Sequence, residues 1–137
     1  MRYLAIDYGL KRTGLAVCDQ AETLASPLEV IEGSRDIAVR IARAVKEHQA
    51  GAVVVGLPLN MDGSRGPQAK KTLELAAQLE KRLDVPVHLQ DERLSSYAAS
   101  EKLQHTQLSR KKKIRRLDAV AAAQILEDFL AGRRQTP

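Results

Sequence analysis

The 137-residue chain is long enough to bury one domain core, so residues 1–137 read as a single globular unit. Its 44% hydrophobic content excludes wholesale disorder, no apolar run approaches the roughly 20 residues of a membrane span, and a lone cysteine, Cys18, excludes an internal disulfide. The net charge is +5, yet seven Lys/Arg and no Asp or Glu fall between Lys102 and Leu117, leaving the rest of the chain net negative. One basic segment on an otherwise acidic chain points to a polyanion, nucleic acid above all. Aromatic residues are 3%, with no Trp, which argues against stacking of single-stranded bases and for contact with backbone phosphate. The N-terminus MRYLAIDYG has no secretory pattern, because a carboxylate interrupts its short apolar run; cytoplasmic residence is expected.

In chain order, strands are predicted over Tyr3 to Asp7, Gly14 to Cys18 and Glu22 to Ile31, with connections short enough for an antiparallel meander. The period then changes. Ser34 is the expected N-cap of a helix whose apolar positions Ile37, Ala38, Ile41, Ala42 and Val45 share a face, ending near Gly51. AVVVG at 52–56 is a continuous apolar run, as in a strand covered on both faces. After the loop LPLNMDGSRG, Pro67 suits the first position of a helix buried along Ala69, Leu73, Ala76 and Leu83. VPVHLQ at 85–90 is a further strand, closed by Asp91 and Glu92. A short helix is expected from Ser96 to Leu103, then a basic linker, then a last helix from Ile114 to Leu130. This order describes an α/β fold with a mixed sheet. If 3–7, 52–56 and 85–90 run parallel, their C-terminal ends place Asp7, the GLPLNMDGSRG loop and DER on one edge, where open α/β sheets bind ligands.

Three acids on or near that edge invite a chemical reading. On a projection of about 100° per residue, Asp118 falls in the middle of the stripe formed by Ala121, Ala122, Ile125 and Phe129, while Glu127 and Asp128 point away. A carboxylate aimed at a core is costly unless it meets a cation. The plainer reading is an ion pair with Arg115 or Arg116, or a place at the stripe's edge. Asp7 alone reads as a turn residue, and Glu92 alone as a strand-end acid paired with Arg93. Converging, the three would repel unless a divalent cation neutralised them, and oxygen ligands suit Mg²⁺ or Mn²⁺. His48, His88 and His105 are scattered, so zinc is not expected. Two such cations can drive phosphodiester cleavage.

DYGLKRTGLAV, VVVGLPLNMDGSRGPQA, DERLSS and LDAVAAAQIL resemble, in order and over nearly the whole chain, the four signature blocks of the YqgF family, also described as RuvX or Holliday-junction-resolvase-like proteins. The resemblance implies a ribonuclease H-like fold, a five-stranded mixed sheet flanked by helices. It also implies nuclease activity in 5′-end maturation of precursor 16S ribosomal RNA, with Asp7, Glu92 and Asp118 as metal-binding, catalytic acids. The choice of Glu92 over Asp91 comes from the resemblance. The stretch TQLSRKKKIRRL departs from the family, where this region is variable and often contains glycine; here six of the seven residues from Arg110 to Arg116 are cations. Lys111, Lys112, Lys113, Arg115 and Arg116 are therefore read as substrate-phosphate contacts from this chain's own charge, against the plainer reading of a solvated loop. Lys11 and Arg12 would hold phosphate beside Asp7. Asn60, Ser64 and Arg65 would line an anion site ahead of a helix N-terminus, and Arg93 would orient Glu92 or touch substrate.

The main expectation is a divalent-metal-dependent nuclease acting on structured RNA, with pre-ribosomal particles as its setting. A resolvase acting on branched DNA would use the same acids but need two active sites for paired cuts, and the pattern does not fix the oligomeric state. An actin-like ATPase would need a second such domain. A non-catalytic RNA-binding factor in ribosome assembly or transcription would use the basic segment alone.

Overall fold

Side chains alternate across the first strand, and both layers of the molecule follow from that alternation. The computed structural model describes residues 1–92 and 110–134, and the side chains of 1–92 and 118–133. Strand β1 (Tyr3–Asp7) lies at the centre of a five-stranded mixed sheet. On one side β2 (Arg12–Cys18) and β3 (Ala25–Glu32) continue antiparallel; on the other β4 (Ala52–Leu57) and then β5 (Val87–Asp91) run parallel. Leu4, Ile6, Leu15, Val53 and Val55 point to one face, where α1 (Ile37–Glu47) and α2 (Pro67–Arg82) cover them. Each such side chain taken from water stabilises the fold by roughly 1.5–3 kcal/mol. The opposite face carries Ala5, Ala16, Cys18, Ala52 and Val54, mostly small, and lets α3 (Arg110–Arg134) lie close on the sheet through Ala122, Ala123, Ile125, Leu126 and Leu130. β4 is buried at all six positions, as its continuous apolar run requires.

Several boundaries differ from expectation for local reasons. β2 begins two residues early, so Arg12 belongs to the strand and not to the turn. β3 starts at Ala25, not Glu22, because the Asp19 carboxylate folds the preceding residues into a turn, accepting from the Thr23 and Leu24 amides at 2.7 and 2.9 Å and from the Thr23 hydroxyl. Those bonds, the Thr23 hydroxyl first, hold the Asp19 carboxyl down at about 2. Ser34 is not the cap of α1. Asp36, in the left-handed conformation (φ 53°), precedes the helix, and the Arg40 side chain reaches back to the carbonyls of Glu32 and Arg35. The helix stops at Glu47, not Gly51, and buries Ala44 in place of Ala42.

Pro67 opens α2 as predicted, but the buried line is Ala69, Thr72, Leu75, Ala76 and Leu79, with Leu73 and Leu83 half-covered. Thr72 is tolerated inside because its hydroxyl donates to the Gln68 carbonyl at 2.9 Å. β5 begins at Val87, past Pro86, which has no amide to give the ladder. α3 begins at Arg110, so the basic run expected as a linker up to Ile114 is helical. The helix expected from Ser96 to Leu103 lies outside the described residues. No helix among the described residues is long and apolar enough to cross a membrane.

Candidate active site

The row Tyr3, Ala5, Asp7 faces α3, so Asp7 continues an apolar row with a carboxylate at the C-terminal end of the central strand. Glycine flanks it on both sides. Gly14 is its ladder partner on β2, and Gly56 lies one step beyond the Ile6–Val55 pair on β4. Neither glycine has the positive φ that would demand glycine for backbone reasons. Space is what they supply. A Cβ on Gly14 would overlap the backbone carbonyl of Asp118, so α3 crosses β2 backbone to backbone at this point. A Cβ on Gly56 would stand 2.8 Å from Glu92 Oε1 and 2.5 Å from Ile125 Cδ1. The two missing side chains thus seat Asp118 on β2 and the Glu92 carboxylate over β4, on either side of Asp7.

The electrostatics follow from this packing. Burial, then the charge of Glu92 and a hydrogen bond with it, then the charge of Asp118, push the Asp7 carboxyl up to about 8. Glu92 is also raised by burial, an effect partly offset by the Asp7 hydrogen bond. Near neutrality the pair therefore shares a proton, which Asp7 donates to Glu92. Asp118 is raised by burial and pulled back by Arg12, whose Nε donates to Oδ2 at 3.0 Å. One proton and one guanidinium offset two of the three negative charges and leave these acids net negative. Asp7 and Glu92 are in contact, and Asp118 turns to Arg12; among the described residues no three His, Cys, Asp or Glu side chains stand close enough to hold one ion together. The donor set is oxygen only, hard and acidic, which suits a divalent cation in place of the shared proton.

Asp118 sits at the margin of the buried stripe rather than in its middle. Ala119, Ala122, Ala123, Ile125, Leu126 and Leu130 face the sheet, a mean direction roughly 80° around the helix from Asp118. Its side chain is 29% exposed, and its partner is Arg12, from a strand 106 residues away, not Arg115 or Arg116. The contact at Gly14 explains the rotation.

Other predicted residues are placed less simply. Lys11 is exposed in the β1–β2 turn. Asn60 and Ser64 bond each other, Nδ2 to Oγ at 2.9 Å, and Ser64 spends its amide and hydroxyl on Asp62 at 2.9 and 2.6 Å. That loop is a self-bonded turn closed by Gly63 (φ 87°) rather than an open anion cradle, with Arg65 exposed beside it. Arg93 lies outside the described residues. Lys111, Lys112, Lys113, Arg115 and Arg116 lie on the first turns of α3, their side chains outside the description. The sequence motifs do not mark Gly14, Gly56 or Gln68 as site residues. Gln68 ties α2 to the turn after Asp7 by donating to the Tyr8 carbonyl at 3.0 Å. Glycine inside a strand was the available signal for the first two.

Comparison with known proteins agrees with this architecture. The family model described as "RuvX: Holliday junction resolvase" matches residues 1–132. A protein of Maridesulfovibrio salexigens is 40% identical over 133 residues, covering 96% of this chain and 98% of the relative. One from Anaeromyxobacter sp. is 43% identical over 136 residues, covering 97% and 98%. Both are described as "Putative pre-16S rRNA nuclease". Among solved structures, RuvC of Thermus thermophilus in complex with a Holliday junction aligns with a TM-score of 0.63 at 18% identity, over 99% of this chain and 97% of that one. The fowlpox virus Holliday junction resolvase aligns at 0.58 and 16%, over 96% and 99%. The fold is ribonuclease H-like, as the sequence blocks imply.

Proposed function

Because the chain belongs to the RuvX family and is a phosphodiester-cleaving hydrolase, we propose that it is a divalent-metal-dependent nuclease that processes the 5′ end of precursor 16S ribosomal RNA, with Asp7, Glu92 and Asp118 as its metal-binding and catalytic acids. The observation that carries the reading is the Asp7–Glu92 pair, two carboxyls pressed together at the sheet's C-terminal edge with a third acid beside them. Such an arrangement is costly by itself and becomes favourable around a cation. Mg²⁺ or Mn²⁺ bound there would act as a Lewis acid toward a phosphoryl oxygen. Asp7 and Glu92 give the charge that recruits it, and the ribose–phosphate chain is held by cations around the edge. Lys11 stands in the adjoining turn, Arg65 beside α2, and the run from Arg110 to Arg116 occupies the turns of α3 just before Asp118, within about 12 Å along the axis. The setting is the cytoplasm, on pre-ribosomal particles.

Purified protein with Mg²⁺ or Mn²⁺ is expected to cleave precursor 16S RNA and to leave a four-way DNA junction intact. Cleavage of the junction alone would favour the second reading, a resolvase, which the family description and the likeness to RuvC support. Binding of RNA without turnover on either substrate would overturn both. Changing Lys111, Lys112 and Lys113 together to Gln is expected to weaken RNA binding and flatten the dependence of log affinity on log salt by about 2–3. An unchanged salt slope would remove these lysines from the interface.

A further inference from the structure

We propose that Arg12 holds Asp118 out of the cation site, so that the resting protein takes one divalent cation on Asp7 and Glu92 and a second enters only when Arg12 leaves Asp118 for a substrate phosphate. The inference rests on the reading of these three acids as cation ligands. Its first support is the partition of the acids: Asp7 and Glu92 engage each other, while the Asp118 carboxylate is taken by Arg12 Nε at 3.0 Å. A guanidinium cannot shed its proton, so it is a permanent positive charge on the carboxylate that a second cation would need.

The second support is that Arg12 does not place Asp118. The helix backbone at Asp118 rests directly on Gly14, two residues along the same face of β2, so the carboxylate stays at the edge whether or not the ion pair forms. The pair can therefore break without undoing the site. It is also poised to break: the two side chains are 31% and 29% exposed, and ion pairs so placed are worth roughly 0–1 kcal/mol. A backbone phosphodiester, with one negative charge spread over two non-bridging oxygens, offers the guanidinium a bidentate partner in place of the single Nε contact. Substrate arrival would then free Asp118 and hold the phosphate in one movement.

The test is Mn²⁺ titration without nucleic acid, read from the electron paramagnetic resonance signal of free Mn²⁺. Wild type is expected to bind one Mn²⁺ per chain, Arg12→Gln two, and Arg12→Lys one. Arg12→Gln with Asp118→Asn should return to one. Removing the pair should tighten the second site severalfold, up to about fivefold. Equal number and affinity in wild type and Arg12→Gln would overturn this inference alone. No Mn²⁺ bound to either would overturn it together with the metal-dependent reading. A melting temperature of Arg12→Gln close to wild type in EDTA would show that the fold is intact.

Discussion

Asp7→Asn is expected to cut cleavage drastically and, in the absence of metal, to make the protein more stable than wild type by a margin that grows with pH. The native Asp7 carboxyl sits at about 8 against an ordinary value of 3.8. Below pH 3.8 both folded and unfolded chains hold this proton, and its contribution is complete. Between about 4 and 8 the unfolded chain releases the proton while the native site retains it, so native stability from this group is lost as pH rises. At about 1.4 kcal/mol per pH unit the whole span corresponds to something on the order of 5 kcal/mol. Asn at this position has no proton to lose and still presents an N–H donor to Glu92. Denaturant titrations of both proteins in EDTA at pH 4, 6 and 8 would read the divergence, and titrating groups outside the Asp7, Glu92 and Asp118 cluster cancel in the difference. Added Mg²⁺ should stabilise wild type at pH 8 and leave the variant nearly unmoved. Cleavage should fall by roughly three orders of magnitude, the scale on which loss of one electrostatic partner of a reacting group acts. Identical stability of the two proteins across that range would contradict the shared proton, and cleavage near the wild-type rate would remove Asp7 from the reaction.

Parts of this site are legible in the chain because they depend on neighbours in sequence. The apolar run at 52–56 is buried on both faces, Pro67 starts its helix, and the parallel strands carry Asp7 and Glu92 to one edge. What escapes the sequence depends on close approach. The projection of the last helix counts Ala121 and Phe129 with Asp118 because they are apolar, yet the backbone contact at Gly14 turns Ala119 and Ala123 to the sheet and leaves Asp118 at the margin. Asn60 and Ser64 look like free donors until Asp62, between them in the chain, takes up the Ser64 hydrogens. The Arg12–Asp118 pair joins residues 106 apart, so it exists only once β2 and α3 have docked. Glycines 14 and 56 carry only the general signal of a glycine inside a strand, since their role is defined by which atoms another element brings against them.

Alanine at those two glycines should separate packing from positioning. In a strand with ordinary backbone angles, Gly→Ala is expected to be neutral or stabilising, since it reduces the freedom of the unfolded chain and removes the roughly 0.5–1 kcal/mol cost of a strand glycine. Any loss therefore measures what the methyl group meets. On Gly14 it meets the backbone of Asp118 and Ala119, which cannot rotate away, so α3 must lift from β2. The expected destabilisation is about 3 kcal/mol or more, at or beyond the upper end for overpacking, with cleavage lost as Asp118 is displaced. On Gly56 the methyl meets the Ile125 Cδ1 and Glu92 carboxylate ends, both able to swing aside. Gly56→Ala should therefore cost less, about 1–2 kcal/mol, yet lose cleavage comparably, because the side chain that moves is Glu92. It should also leave a signature that general loosening would not. With Glu92 pushed off Asp7, the Asp7 proton is released at lower pH, and the fall of stability with pH in EDTA becomes shallower than in wild type. Denaturant titrations and cleavage rates for both variants decide the matter. A Gly14→Ala protein as stable as wild type would place α3 further from β2. A Gly56→Ala protein with full activity would mean that Glu92 works without the seat that Gly56 provides.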